Sequence, residues 1–382
     1  MPLLELVAFI PSVMLLAIAA TPFVFYPLVL GLLPRRPEDP VEIEPHWDGE
    51  GMAIVFCAYN EASVLERKFA NLADLKARYP KLAIHCYSDG SSDRSAQIME
   101  AHADLARVVI SNERGGKSMG MNTLLSGVDA EVVVFTDANV LLDDAAPAVA
   151  HSRFAAEDQL GCLCGHLIYT NRDASTAASV SSAYWRLEER IKDLESNTGS
   201  GSTIGADGSL FAIRRALFDE VPHDIIDDMF TSVSILAAGW RVAAEPRFRA
   251  YEESEIAVSN EFRRKIRIAC RAVNCHRLLW PRLRTMAADN LAKYLVHKLL
   301  RWWSGFFALA SLLALVAAFA ATVGSAAFWI VLSAVAASCL LIASVRRLRR
   351  LVISAAIMLA GTSLGVIASY RGKRYASWVT TR

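Results

Sequence analysis

Asp137-Ala138-Asn139 closes the apolar run Glu-Val-Val-Val-Phe-Thr at 131–136. A strand that ends in a carboxylate, one residue, then an amide points oxygens at the mouth of a sheet. Oxygens are what a hard divalent cation takes as ligands. Asp89, in Ser88-Asp89-Gly90-Ser91-Ser92-Asp93, and Asn60-Glu61 close two other apolar runs in the same manner. Each has a plainer alternative, because Asp and Asn after a strand make turns and Asp93 suits a helix cap. Gly115-Gly116-Lys117-Ser118 imitates the end of a phosphate-binding loop. That motif needs a glycine five positions before its last one, where this chain has Ser111. A lysine on a glycine-rich loop can still meet phosphate, or it can be a solvated turn.

Asp227-Asp228 opens a helical run that ends at Gly239-Trp240. Acids there either complement a helix dipole or supply a base that takes the proton of an attacking hydroxyl. Arg264 and Arg267 stand at i and i+3 within the cluster Arg263, Arg264, Lys265, Arg267 and Arg271. Guanidinium groups fit diphosphate oxygens and can stabilise the charge of a departing diphosphate. A basic cluster beside an apolar segment also suits anionic lipid.

Strand-like runs at 52–57, 82–87, 107–110 and 131–136 alternate with helical periodicity at 62–78, from Ser92 or Asp93 to 101, and up to 125. Alternation of this kind implies βαβ units and a mainly parallel sheet. Such a sheet gathers its ligand groups beyond the carboxyl ends of its strands, where Asn60, Asp89 and Asp137 would meet. Beyond 140 the pattern reads as a helix at 175–196 carrying Tyr184, Trp185 and Glu188, a loop at 199–208, and a short strand at 210–213. A helix at 228–238, a strand at 241–244 and a basic helix at 260–280 follow. Cys162-Leu163-Cys164 has the wrong spacing for a zinc knuckle and reads as alternating strand residues. Seven scattered cysteines suggest reduced thiols rather than a disulfide framework.

Apolar residues make up 54 % of the chain and collect at its two ends. Residues 6–33 are long enough for one retained membrane anchor, and so in turn are 302–322, 326–345 and 351–370. Arg35 and Arg36 place the segment that follows in the cytoplasm, as do Lys298, Arg301 and Arg346 to Arg350 for their neighbourhoods. The same rule then conflicts with a basic tail at Arg371, Lys373, Arg374 and Arg382 on the far side, unless one segment is re-entrant or interfacial. Gly361 and its small neighbours would permit close helix contact. The formal net charge of +1 gives no general attraction to nucleic acid.

As an ordered set, Cys57-Ala58-Tyr59-Asn60-Glu61, the Asp89 and Lys117 segments, Thr136-Asp137-Ala138-Asn139 and Gly205-Ala206-Asp207-Gly208 resemble membrane-bound family 2 inverting glycosyltransferases. Ile213-Arg214-Arg215, Asp227-Asp228 and Glu261 to Arg267 extend the resemblance. This broad group is similar to cellulose, chitin, hyaluronan and poly-N-acetylglucosamine synthases. The resemblance implies an α/β GT-A fold at 51–285, after an anchor at 1–33 and a linker at 34–50. A juxtamembrane and C-terminal region of two or three spans occupies 286–382. It implies that Tyr59, Asn60, Glu61, Asp89, Lys117 and Asp137 hold the nucleotide sugar, and that Asp137 and Asn139 hold Mg or Mn. Asp228, eleven positions before Gly239, takes the place of the catalytic base and Asp227 that of the preceding acid. Arg264 and Arg267 meet the diphosphate, while Ala206, Asp207, Gly208 and Trp185 line the acceptor side.

Two positions depart from the family pattern. Asn139 is neutral where an acid is usual. The Gln-x-x-Arg-Trp segment of processive synthases reads Arg264-Lys265-Ile266-Arg267-Ile268. The expected function is transfer of a sugar from a nucleotide sugar, UDP-linked, to a glycan or lipid-linked acceptor in exopolysaccharide assembly. Its setting is the inner (plasma) membrane, multi-pass, with a cytoplasmic catalytic domain and polysaccharide export partners. The alternatives are a processive polysaccharide synthase and a catalytically inactive nucleotide-sugar-sensing scaffold subunit.

Overall fold

The computed structural model describes residues 7–36, 41–44, 46–170, 176–253, 258–322, 333 and 344–375. Its centre is an eight-stranded sheet. In chain order the strands are β1 (Met52–Ala58), β2 (Ala83–Asp89), β3 (Arg107–Ser111), β4 (Val132–Thr136), β5 (Leu141–Leu142), β6 (Leu160–Tyr169), β7 (Leu210–Arg214) and β8 (Arg241–Glu252). Their spatial order is β3-β2-β1-β4-β7-β6-β8-β5. β1 and β4 are buried along their whole length. Continuous apolar runs form here, rather than alternating ones, because helices cover both faces of a parallel sheet. β3, β2, β1 and β4 pair in parallel. β2 lies on one side of β1 and β4 on the other, which makes the β1/β4 boundary the point where strand order switches and a crevice opens.

The helix expected at 62–78 forms over the same residues (Ala62–Arg78), and the basic helix runs from Val258 to Leu283. Three features differ from expectation. Lys117 is the first residue of a helix, Lys117–Ser126, rather than a loop residue. The strand expected at 241–244 continues to Glu252, because its second half pairs with both β6 and β5. A helix, Ala146–Ala156, and strands β5 and β6 fill a stretch in which only the two cysteines had been read. Cys162 and Cys164 face one side of β6 and Leu163 the other, in two separate cores.

Among the described residues two helices are long and apolar enough to cross a membrane, Ile10–Leu32 (α1) and Ala288–Ala321 (α9). They pack side by side. Ser12 Oγ donates to the Ser311 carbonyl at 2.9 Å, Ser311 Oγ donates back to the Ser12 carbonyl at 2.8 Å, and the Phe9 and Phe319 rings meet edge to face. Val13, Met14, Leu16, Leu309, Leu312 and Leu313 point outward, an apolar exposure that marks an interaction surface rather than a soluble core. The expected span at 326–345 lies almost wholly outside the described residues.

The last helix, Arg346–Tyr370 (α10), packs against the basic helix Val258–Leu283 (α8). Close approach requires glycine here. A Cβ on Gly365 would lie 2.5 Å from the Ala269 Cβ and 2.7 Å from the Ile266 carbonyl oxygen. At the end of α10, the Asn274 amide donates to the Lys373 carbonyl at 3.2 Å, and Arg374 pairs with Asp224 of the α/β domain. The segment from Lys373 to Arg374 is therefore held against α8 and the α/β domain. Lys373→Cys and Glu113→Cys, both on exposed residues, should react with a membrane-impermeant maleimide in vesicles of the same orientation. Labelling from opposite sides would contradict the α8–α10 packing.

Candidate functional site

The crevice at the switch point is a cavity of about 700 Å³. It runs from the end of β4 past the N-terminus of the helix Asp227–Ala237 (α7) to α8 and α9. Glu61, Lys117, Asp137, Asn139, Asp227 and Asp228 line it, with Ala206, Asp207, Gly208, Trp185, Arg264 and Arg267 further along. One cavity thus collects most of the site residues named from the sequence.

Lys117 stands at its centre. Its Nζ is 2.7 Å from Asp137 Oδ1, 3.2 Å from Asp227 Oδ2 and 3.4 Å from the Gly208 carbonyl. Burial alone would pull this ammonium's pKa down, but the carboxylates of Asp137 and Asp227 overcome that and raise it, so it stays charged. Asp227 has the reciprocal balance. Burial favours its neutral form, yet Lys117 and Arg271 hold its pKa below the usual carboxylate value. For Asp228 the balance tips the other way, although Lys117 pulls its pKa down too. Burial, and then the charge of Asp227, push it up to about 7. Its Oδ1 accepts the Met229 N–H at 2.6 Å, in the first turn of α7. A Cβ on Gly208 would crowd both groups, standing 3.0 Å from Asp228 Oδ2 and 3.4 Å from Lys117 Nζ.

The Asp137 loop is fixed from beneath. Lys68 Nζ donates to the Val140 carbonyl at 2.5 Å and to Thr136 Oγ1 at 3.3 Å. Burial lowers its pKa to about 7. Asn139 Nδ2 donates to Glu252 Oε1 at 2.7 Å.

Tyr59, Asn60 and Asp89 do not line the cavity; they hold its wall. Asp89 is fully buried, and its Oδ1 accepts the N–H groups of Gly115 and Gly116 at 2.7 and 2.9 Å, which clamps the turn that delivers Lys117. Asn60, with φ +52, accepts the Ser92 N–H at 2.8 Å and so ties the end of β1 to the loop after β2. The Arg114 guanidinium lies 3.6 Å over the Tyr59 ring. Asp93, expected as a cap, stands one residue before the N-cap Arg94, where it accepts from the Ser95 and Ala62 N–H groups.

The far end of the cavity was not read from the sequence. Glu188 on the helix Thr176–Ser196 (α6) accepts from Lys298 at 2.8 Å and from His297 at 3.1 Å, and pairs with Arg301. Burial works against its charge, but Arg301, Lys298 and His297 hold its pKa well below the ordinary value. Lys298 and Arg301 had been read only as charges flanking a span. Ionisable residues one turn apart inside an apolar helix are themselves a signal of a functional site. On α8, burial and then the neighbouring Arg271 and Arg264 lower the Arg267 pKa to about 10, so three guanidinium groups share this wall.

The carboxylate of Asp137 faces the cavity and is balanced there by an ammonium, and the amide of Asn139 adds an oxygen. Such a donor set fits a hard cation that completes its shell with phosphate oxygens and water. Among the described residues no three acidic, His or Cys groups converge into a protein-only cage.

Residues 50–271, more than half of the chain, match the family model described as "Glycosyltransferase like family 2". A Staphylococcus aureus poly-beta-1,6-N-acetyl-D-glucosamine synthase is 27 % identical over 203 residues, covering 52 % of this chain and 48 % of that protein. The Staphylococcus epidermidis synthase is 25 % identical over 250 residues, 63 % of this chain and 59 % of that one. The chain thus spans about half the length of the curated relatives it matches. Among solved structures, a mannosyltransferase from Pyrobaculum calidifontis, in complex with GDP-Man and Mn2+, superposes with a TM-score of 0.75 at 22 % identity. The match covers 96 % of this chain and 99 % of that one.

Proposed function

The chain belongs to the family 2-like glycosyltransferases and has their GT-A fold, and from that premise we propose that it is an inverting transferase. It moves a sugar from a nucleotide sugar, UDP-linked, to a glycan or lipid-linked acceptor in cell-surface polysaccharide assembly. Residues 51–285 form the catalytic domain, cytoplasmic, with α1 and α9 in the inner membrane. The observation that carries the reading is the division of labour around Lys117: Asp227 is held ionised and paired, while Asp228 is held near neutrality. Two acidic groups whose environments push their pKa values apart mark a base and its partner.

In this mechanism Asp228 takes the proton of the acceptor hydroxyl as its oxygen attacks the anomeric carbon, and the bond to the nucleoside diphosphate breaks. Arg264 and Arg267 meet the diphosphate as its charge develops. Lys117 exchanges Asp137 for a phosphate oxygen. Asp137 and Asn139 would hold a Mg or Mn ion, which supplies positive charge to the diphosphate. Asp89 and Asn60 act through the loops they clamp. Asp207, Gly208, Ala206 and Trp185 face the acceptor.

The pH dependence follows from Asp228. Its base form exists above about pH 7, so the rate should fall about tenfold per unit as pH drops below that value. Asp227→Asn removes a like charge beside Asp228, so the acidic limb should move to lower pH. An unchanged limb would exclude Asp228 as the titrating base.

A donor-panel assay on membranes, following nucleoside diphosphate release, tests the activity; no release with any donor would favour the scaffold reading. The names of the staphylococcal relatives favour a second reading, a processive synthase. Product length separates the two: a single added sugar supports the leading reading and long polymer the other.

A further inference from the structure

We propose that Glu252 is the positioning carboxylate that turns Asn139 into a cation ligand and returns the negative charge Asn139 lacks. The inference rests on the nucleotide-sugar reading given above. Asn139 Nδ2 donates to Glu252 Oε1 at 2.7 Å. The Glu252 oxygen accepts in this bond, so it is the amide nitrogen of Asn139 that faces Glu252. The amide is thereby oriented with Oδ1, its one atom able to bind a hard cation, on the other side. Asn139 is two positions from Asp137 on the same turn, in which the Val140 N–H donates to the Asp137 carbonyl at 3.2 Å. Both residues, and Glu252, line the cavity.

Glu252 is itself held in register. It is the last residue of β8 and pairs with Tyr169 of β6, while its neighbours Tyr251 and Ala250 pair with Leu141 and Leu142 of β5. The Thr170 N–H donates to the Glu252 carbonyl at 2.9 Å. β5 begins two residues after Asn139, so the strand that carries the carboxylate and the loop that carries the amide are one bonded unit. A carboxylate behind a ligand fixes its orientation and adds charge, and removing such a partner typically weakens metal binding about 10–100-fold.

The experiment measures Mn2+ uptake by electron paramagnetic resonance on the full chain in detergent, with UDP and in parallel with GDP. Glu252→Met, which removes the acceptor, should weaken Mn2+ binding at least about tenfold. Asn139→Asp alone sets two carboxylates within hydrogen-bond distance, one of which takes up a proton, and so leaves the same single charge and reversed hydrogen bond as the exchange of both residues. The exchange Asn139→Asp with Glu252→Gln reverses the polarity of the hydrogen bond and keeps one carboxylate, and should restore affinity to within about threefold of wild type. Should Glu252→Met fail to fold, Glu252→Gln, which keeps an acceptor but not the charge, should still show a loss of about threefold or more. Unchanged Mn2+ affinity in the Glu252 variants, or an exchange no tighter than Glu252→Gln alone, overturns the inference. Wild-type chain that binds neither nucleotide, or Asp137→Asn with full Mn2+ uptake, overturns the nucleotide-sugar reading instead.

Discussion

Asp228→Asn is expected to lower the turnover of sugar transfer by about 10²–10⁴-fold while donor binding stays near wild type. The substitution keeps the shape and an acceptor for the Met229 N–H, so the first turn of α7 is preserved. It removes only the group able to hold the hydroxyl proton. Lys117, the diphosphate-facing arginines and Asp137 remain, and these carry the donor in the proposed mechanism. Titration with UDP or GDP and turnover with the donor that works separate the two effects. Full turnover in this variant would end the assignment of Asp228 as base. A parallel loss of nucleotide affinity would point instead to a collapsed α7.

Glu188→Gln is expected to destabilise the protein by about 3–5 kcal/mol, because it removes a buried charge that the Arg301 guanidinium and the Lys298 ammonium both face. Glu188 is 5 % exposed, and its partners Arg301 and His297 are 7 % and 0 % exposed. The hydrogen bonds can in part be remade by an amide, but the charge cannot. A shift of the thermal midpoint in detergent on the order of 5–10 °C is the observable. Adding Lys298→Met removes one of the stranded charges and should recover part of the loss, as coupled neighbours do. Midpoints within a degree of wild type would mean that solvent already screens the cluster.

The first half of the chain was legible because each element there announces itself locally. The runs that became β1 and β4 are unbroken and apolar, and the helix from Ala62 to Arg78 carries its apolar face in register and is buried at Leu65, Phe69, Leu72 and Leu75. Asp137, Lys117 and Asp228 were legible as an ordered set, and the structure gathers the acids around the Lys117 ammonium. What stayed hidden depends on pairing across the chain. The second half of β8 reads Glu245, Arg247, Arg249 among apolar residues, a pattern that means strand only when β6 and β5 lie beside it. Glu252 was missed with it. Glu188 and Arg301 are 113 residues apart in sequence, and neither signals the other. Asp89 and Asn60, expected as nucleotide contacts, also hold loops together: Asp89 accepts from Gly115 and Gly116, and Asn60 from Ser92, pairings that no local pattern announces.

The cavity that joins Asp137 to Arg301 and Trp302 of α9 has a kinetic consequence. In the proposed function its two ends would serve different phases: a water-soluble donor would arrive from one, and a lipid-linked acceptor lying along α9 from the other. The second substrate is then counted as a mole fraction of the lipid, not as a molarity. Diluting the acceptor with inert lipid or detergent, at constant bulk amount, would slow the reaction, while diluting the whole suspension with donor-containing buffer would not. Encounter with the acceptor becomes a two-dimensional search, set by the fluidity and crowding of the bilayer.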